Sequence, residues 1–111
     1  MGDIWNVPGY VVRVVDGDTI VADLDLGWKM WKKDQHIRLL DINAPEMNLA
    51  EGKEAKAYLQ AFLSPNDRII VASHSIDSFG RVLGDVTLCN FDATNLSHLM
   101  VESGHAVWKV Y

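Results

Sequence analysis

The chain reads as a small α+β protein, mainly β, whose strands close into a barrel with helices attached. Three observations predict this. Short runs rich in β-branched and apolar residues recur along the sequence. One middle segment switches to helical spacing. An Asp-Gly pair stands between two of the β-like runs, where a hairpin turn belongs.

The elements follow in order. Tyr10–Val15 and Thr19–Leu26 are β-like runs flanking Asp16-Gly17-Asp18. A third strand is expected over His36–Ile42, ending before Ala44-Pro45, because proline cannot continue a ladder. Gly27–Gln35 joins the second and third runs as a loop or hairpin tip. Ala55, Tyr58, Leu59, Phe62 and Leu63 repeat at helical spacing, so Gly52–Leu63 is an amphipathic helix. Ser64-Pro65-Asn66-Asp67 terminates it. Arg68–Ser73 and Val82–Leu88 read as strands on either side of a polar loop, Ile76–Arg81. A second helix is expected from about Ala93 to Ser103, with Leu96, Leu99 and Met100 on its core face and Gly104 just beyond its end. His105–Val110 returns as a short strand.

The 111 residues fit one domain spanning 1–111, and a chain of this size buries a core without staples. At 49% hydrophobic and 23% charged, the composition excludes a disordered chain. Cys89 is the one cysteine, so no internal disulfide forms and no cysteine-based zinc site is available. Its apolar setting, VTLCNF, predicts a buried, inert thiol. The opening MGDIWNVPGY lacks a secretory pattern, and no apolar run approaches bilayer length, so a soluble, cytoplasmic protein without membrane contact is expected. The net charge of −5 argues against indiscriminate nucleic-acid binding, which Lys and Arg drive. Against that trend, Lys29, Lys32, Lys33, His36 and Arg38 cluster within ten residues, with only Asp34 between them.

No phosphate-binding loop, dinucleotide fingerprint, nucleophile elbow or zinc-protease motif occurs. Asp23-x-Asp25-x-Gly27 fails as a calcium loop because its glycine is misplaced. The four histidines are scattered and read as surface or structural residues. What remains is sparser. Asp16 and Asp18 crowd one turn, and two close carboxylates repel unless a cation or hydrogen bonds compensate; a plain solvated turn is the simpler reading. Arg38 interrupts the apolar run HIRLLDI, so its guanidinium must reach solvent or meet an anion. Glu46 directly follows Pro45, and Arg81 closes the loop DSFGR; each alone reads equally as a surface residue.

Taken together and in order, VVDGDTIVADL, IRLLDINAPE, GKEAKAYL, DSFGR and LMVESGHA resemble the staphylococcal-nuclease-like (thermonuclease) family over about residues 10–108. The resemblance implies an OB-type five-stranded barrel with two or three helices. It implies a metal-dependent endonuclease that hydrolyses DNA or RNA, with water attacking phosphorus and 3′-phosphate ends left behind. One calcium ion would be held by Asp18, by the side chain at Asn43 and by the Ala44 backbone carbonyl, with Asp16 in the outer shell. Arg38 and Arg81 would grip the scissile phosphate, and Glu46 would take a proton from the attacking water.

The chain departs from the family at Asn43, where the pattern carries an aspartate. An amide oxygen still suits calcium, but one negative charge is lost. Asp41 lies two residues earlier, and in a continuous strand it would face the same way and partly restore that charge. Lys29, Trp31, Lys32 and Lys33 form a candidate nucleic-acid contact in which Trp28 and Trp31 stack on bases beside phosphate-binding lysines. Two other readings stay open: a catalytically weakened OB-fold module that binds nucleic acid or protein, and an oligomer assembled through the Trp28–Trp31 loop.

Overall fold

The computed structural model describes residues 5–90 and 92–109. Its elements run β1 (Trp5–Asp16), β2 (Thr19–Gly27), β3 (Met30–Leu39), β4 (Ile42–Asn43), α1 (Ala50–Phe62), β5 (Arg68–Ile76), β6 (Val82–Leu88), β7 (Thr94–Asn95), α2 (Leu96–Glu102) and β8 (Val107–Trp108). The main sheet has the order β3-β2-β1-β5-β6-β7, and β3 also pairs with β6. That last pairing is parallel, Ile37 opposite Val82 through Leu39 opposite Gly84, and it closes five strands into an OB-type barrel. The Leu40 N–H donates to the Gly84 carbonyl and extends the seam.

Alternation builds the core. Val82, Gly84, Val86 and Leu88 of β6 face inward while the residues between them are partly exposed. Ile20, Ile37, Leu39, Ile69 and Val71 join them, fully enclosed. Helix α1 caps the barrel through Ala55 and Leu59, with Tyr58 and Phe62 packed at the margin. Helix α2 adds Leu96 and Met100. It starts where the Asn95 side chain accepts the His98 N–H, an N-cap bond, and Gly104 follows it with φ of 83°. Among the described residues, no helix is long and apolar enough to cross a membrane.

Several boundaries differ from the sequence reading, each for a physical reason. Strand β1 starts at Trp5 and includes Pro8. Pro8 pairs only with Ile70 of β5, and pairing with β2 begins at Gly9, so the missing N–H breaks no ladder on that side. Gly27–Gln35, expected as a loop or hairpin tip, is a hairpin tip: β2 and β3 continue to a two-residue turn at Trp28 and Lys29. Both residues have positive φ, 57° and 60°. Left-handed turns favour glycine or asparagine, so neither residue signalled the turn.

The expected strand His36–Ile42 breaks at Leu40–Asp41, where Asp41 has φ of 63°. Cys89 is exposed rather than buried; it lies past the end of β6, in the outward register that follows Leu88. The closing strand is only Val107–Trp108, antiparallel to β4; Val110, part of the expected strand, lies outside the described residues.

Candidate active site

The β1–β2 turn carries the first part of the site. The Asp18 N–H donates to Asp16 Oδ1 at 3.1 Å, which orders the turn. Gly17 is required here by packing rather than by backbone angle: a Cβ at this position would stand 2.7 Å from the Ala55 Cβ and 2.8 Å from the Ala44 Cβ. The turn is thereby pressed between α1 and the segment after β4. Asp18 is 8% exposed. Its Oδ2 accepts the Ala44 N–H at 2.9 Å, and its Oδ1 accepts the Thr19 hydroxyl at 3.2 Å.

Arg38 comes from β3, directly across from Thr19, and is also 8% exposed. The question its sequence setting raised has an answer: the guanidinium meets an anion. Its Nη2 lies 3.3 Å from Asp18 Oδ2 and 3.4 Å from Asn43 Oδ1, while Nη1 donates to the Leu39 carbonyl at 3.0 Å. Burial pushes the Asp18 carboxyl up to about 6, and the neighbouring Asp16 carboxyl pushes the same way. The Ala44 N–H and the Arg38 charge pull against them. Desolvation thus outweighs the ion pair.

Arg81 follows the β5–β6 loop. Its Nε donates to Asp77 Oδ2 at 2.8 Å, and its guanidinium lies 5.4 Å from the centre of the Phe79 ring. Asp77 is the organiser of this loop, since its Oδ1 also accepts the backbone N–H groups of Phe79 and Arg81, each at 2.9 Å. Partial desolvation raises the Asp77 carboxyl, but these N–H groups and the Arg81 guanidinium win and hold it below its ordinary value. Arg38 and Arg81 line one cleft of about 310 Å³ at the barrel seam, with Asp41, Asp77 and Phe79 among the other walls.

The structure therefore brings together Asp16, Asp18, Arg38, Asn43 and Ala44, and it places Arg81 on a shared cleft with Arg38. Glu46 is exposed between β4 and α1 and does not line that cleft. Its backbone is held by the Leu49 N–H and by Gly52, where any Cβ would collide with the Glu46 carbonyl. The turn at Leu40–Asp41 removes the premise for Asp41 as a charge substitute beside Asn43, because the two residues share no continuous strand. Lys29, Trp31, Lys32 and Lys33 lie at the far end of the β2–β3 hairpin, away from this cleft.

Sequence reasoning missed Thr19, Asp77 and Phe79. The Asp77–Arg81 spacing of four residues across a glycine loop was the available signal.

The donor set fits calcium chemically. Asp16, Asp18, the Asn43 amide and the Ala44 carbonyl offer only oxygen, which a hard cation takes. Among the described residues, no group of three or more His, Cys, Asp or Glu side chains gathers.

Fold and site together define an OB-type barrel with a cleft at its closing seam that Arg38 and Arg81 both line. Residues 36–111 match the family described as Staphylococcal nuclease homologue, and the chain belongs to that family. It is 37% identical to Endonuclease YhcR of Bacillus subtilis (strain 168) over 92% of this chain and 9% of that protein. It is 34% identical to a Micrococcal nuclease of Shigella flexneri over 88% of this chain and 56% of that one. An Uncharacterized endonuclease of Escherichia coli is also 34% identical, over 93% and 61%. The chain spans less than two thirds of the length of each of these relatives.

Proposed function

We propose that the domain is a calcium-dependent nuclease that hydrolyses phosphodiester bonds of DNA or RNA and leaves 3′-phosphate ends. The observation that carries this reading is the shared cleft of Arg38 and Arg81 beside the buried Asp18. Two guanidiniums give planar, multidentate donors that match the spread oxygens of a phosphate. Held by different elements of one rigid barrel, they stabilise charge as it develops on those oxygens. Water attacks phosphorus as Glu46 takes its proton, and the bond to the 5′ oxygen breaks, the departing oxygen taking up a proton from solvent to leave as a hydroxyl. The exposed position of Glu46 requires the bound strand to bring the reacting phosphate and water to it. Asp18, Asn43 and the Ala44 carbonyl would hold calcium with Asp16 in the outer shell, and a bound ion would supply Lewis-acid polarisation of a phosphoryl oxygen.

A second reading is favoured by one contact. Asn43 Oδ1 accepts from Arg38, and Asn43 brings no charge, so a binding module with a weakened metal site is consistent with the same geometry. One experiment separates the two. Single-stranded DNA is incubated with the protein in calcium and in chelator, beside Arg38→Ala and Glu46→Gln. Calcium-dependent cleavage lost in both variants is expected; binding without cleavage selects the second reading. Asn43→Asp should tighten calcium binding, and an unchanged calcium titration removes position 43 from the ligand set.

A further inference from the structure

We infer that the β2–β3 hairpin is a second nucleic-acid contact: an arm that stacks the bases of a single strand leaving the Arg38–Arg81 cleft. Its occupant rests on the nuclease reading. Trp31, on β3, and Lys29, in the turn before it, lie seven and nine residues from Arg38 along the chain. At ~3.3 Å per residue they stand roughly 20 and 30 Å from it. The molecule's long axis of 42 Å accommodates this reach.

The tip presents rings instead of burying them. Trp28 is 96% exposed and sits at a φ of 57°, a conformation costly for a bulky side chain. Trp31 is exposed too, but braced: its ring centre lies 5.8 Å from that of Tyr10, and Lys33 Nζ is 5.0 Å from it. Bracing of this kind lowers the ordering cost of binding.

Two of the hairpin's acids, Asp23 and Asp25, are occupied internally. Asp23 pairs with Lys33 at 3.6 Å and accepts the Asp34 N–H at 2.9 Å; Asp25 accepts the Gly27 N–H at 2.8 Å. Lys29 and Lys32 form no ion pair among the described residues, so their charge is available to phosphates. Ring faces interleaved with available lysines suit unpaired bases on a backbone. The first part of the way from site to tip is open. His36, on β3 between Arg38 and the tip, lines an open cleft of about 460 Å³ with Phe79, Gly80 and Arg81.

The test compares single-stranded DNA of about 20 nucleotides with strands of about 4, too short to reach both contacts. Cleavage in calcium and binding in chelator are measured for wild type, Trp28→Ala, Trp28→Phe and the Lys29→Ala/Lys32→Ala pair. Trp28→Ala should lower the ratio of kcat/KM on long over short strands about tenfold, through KM, and Trp28→Phe should restore most of it. The lysine pair should flatten the logarithmic salt dependence of long-strand binding by about 1.4. Equal losses on both lengths, or unchanged long-strand binding, overturn the inference. So does an assembly that dissociates on Trp28→Ala with long-strand binding intact, which makes the tip a subunit contact. A wild type that cleaves neither strand, yet loses long-strand binding on Trp28→Ala, sinks the nuclease reading and leaves the arm standing.

Discussion

The two ends of the β2–β3 hairpin share one ladder and differ in everything that fixes a side chain. At the base, Arg38 and Asp18 are buried, and each is held by several partners. At the tip, Trp28, Met30 and Trp31 are exposed, and the turn is held by its own strands. A charge enclosed by the barrel is expensive to leave unpaired. A surface ring has solvent or a ligand as its alternative. The difference teaches that one hairpin supplies a buried, firmly held wall at one end and an exposed, adaptable surface at the other.

The largest expected effect is at the base. Arg38→Ala leaves Asp18 buried beside Asp16 without its guanidinium, and urea unfolding at pH 7 should show a loss of about 3 kcal/mol. Phosphodiester cleavage should fall about 10²–10³-fold, as for loss of one transition-state donor. A loss no greater than that of Trp28→Ala would erase the contrast between the two ends.

Gly17→Ala comes next. Its methyl meets Ala44 and Ala55 at distances no packed pair tolerates, so the β1–β2 turn must shift from α1. Overpacking of this kind costs about 1–3 kcal/mol. Unchanged stability would show that the turn is not clamped.

The pH dependence of the metal-free protein sharpens the comparison further. The Asp18 carboxyl is raised from 3.8 to about 6, chiefly by burial, so the folded chain binds this proton more tightly than the unfolded one. The resulting stabilisation is full below the unfolded value and is lost as pH rises through about 6. Between pH 7 and pH 5 the folded state should gain on the order of 1 kcal/mol, allowing for solvent screening. Asp18→Asn, which keeps the shape, should flatten that rise in a pH series of unfolding curves; an unaltered slope would place the titration elsewhere.

The smallest effect belongs to the tip. Trp28→Ala should change stability by no more than about 0.5 kcal/mol, because the side chain is already in solvent. A larger loss in thermal unfolding would mean that the ring supports the hairpin.

Particular residues show how far the sequence could be read. The spacing of Ala55, Tyr58, Leu59, Phe62 and Leu63 anticipated α1 to within two residues at its start and one at its end. The run Val82–Leu88, read as a strand, is β6 with the same bounds. The family motifs pointed to the residues that gather around Asp18 and to the arginine loop. Trp28 and Lys29 gave no turn signal, since neither is a residue that left-handed backbone favours. Cys89 was misread because an apolar neighbourhood in sequence does not reveal where a strand ends.

By itself, then, the sequence determined where both helices and the centres of the main strands lie, though not all their bounds, and which residue types were available for phosphate and cation chemistry. These properties depend on neighbours within a few positions, where period and turn chemistry act. Only the tertiary structure decided that β3 and β6 close the barrel in parallel, so that Arg38 and Arg81 share a cleft. It also decided that Arg38 meets Asp18 and Asn43, that Asp41 turns out of the strand, and that Gly17 is needed for the approach of α1. Each of these is a contact between distant parts of the chain, made when burial of the common core forces them together, and no local pattern encodes it.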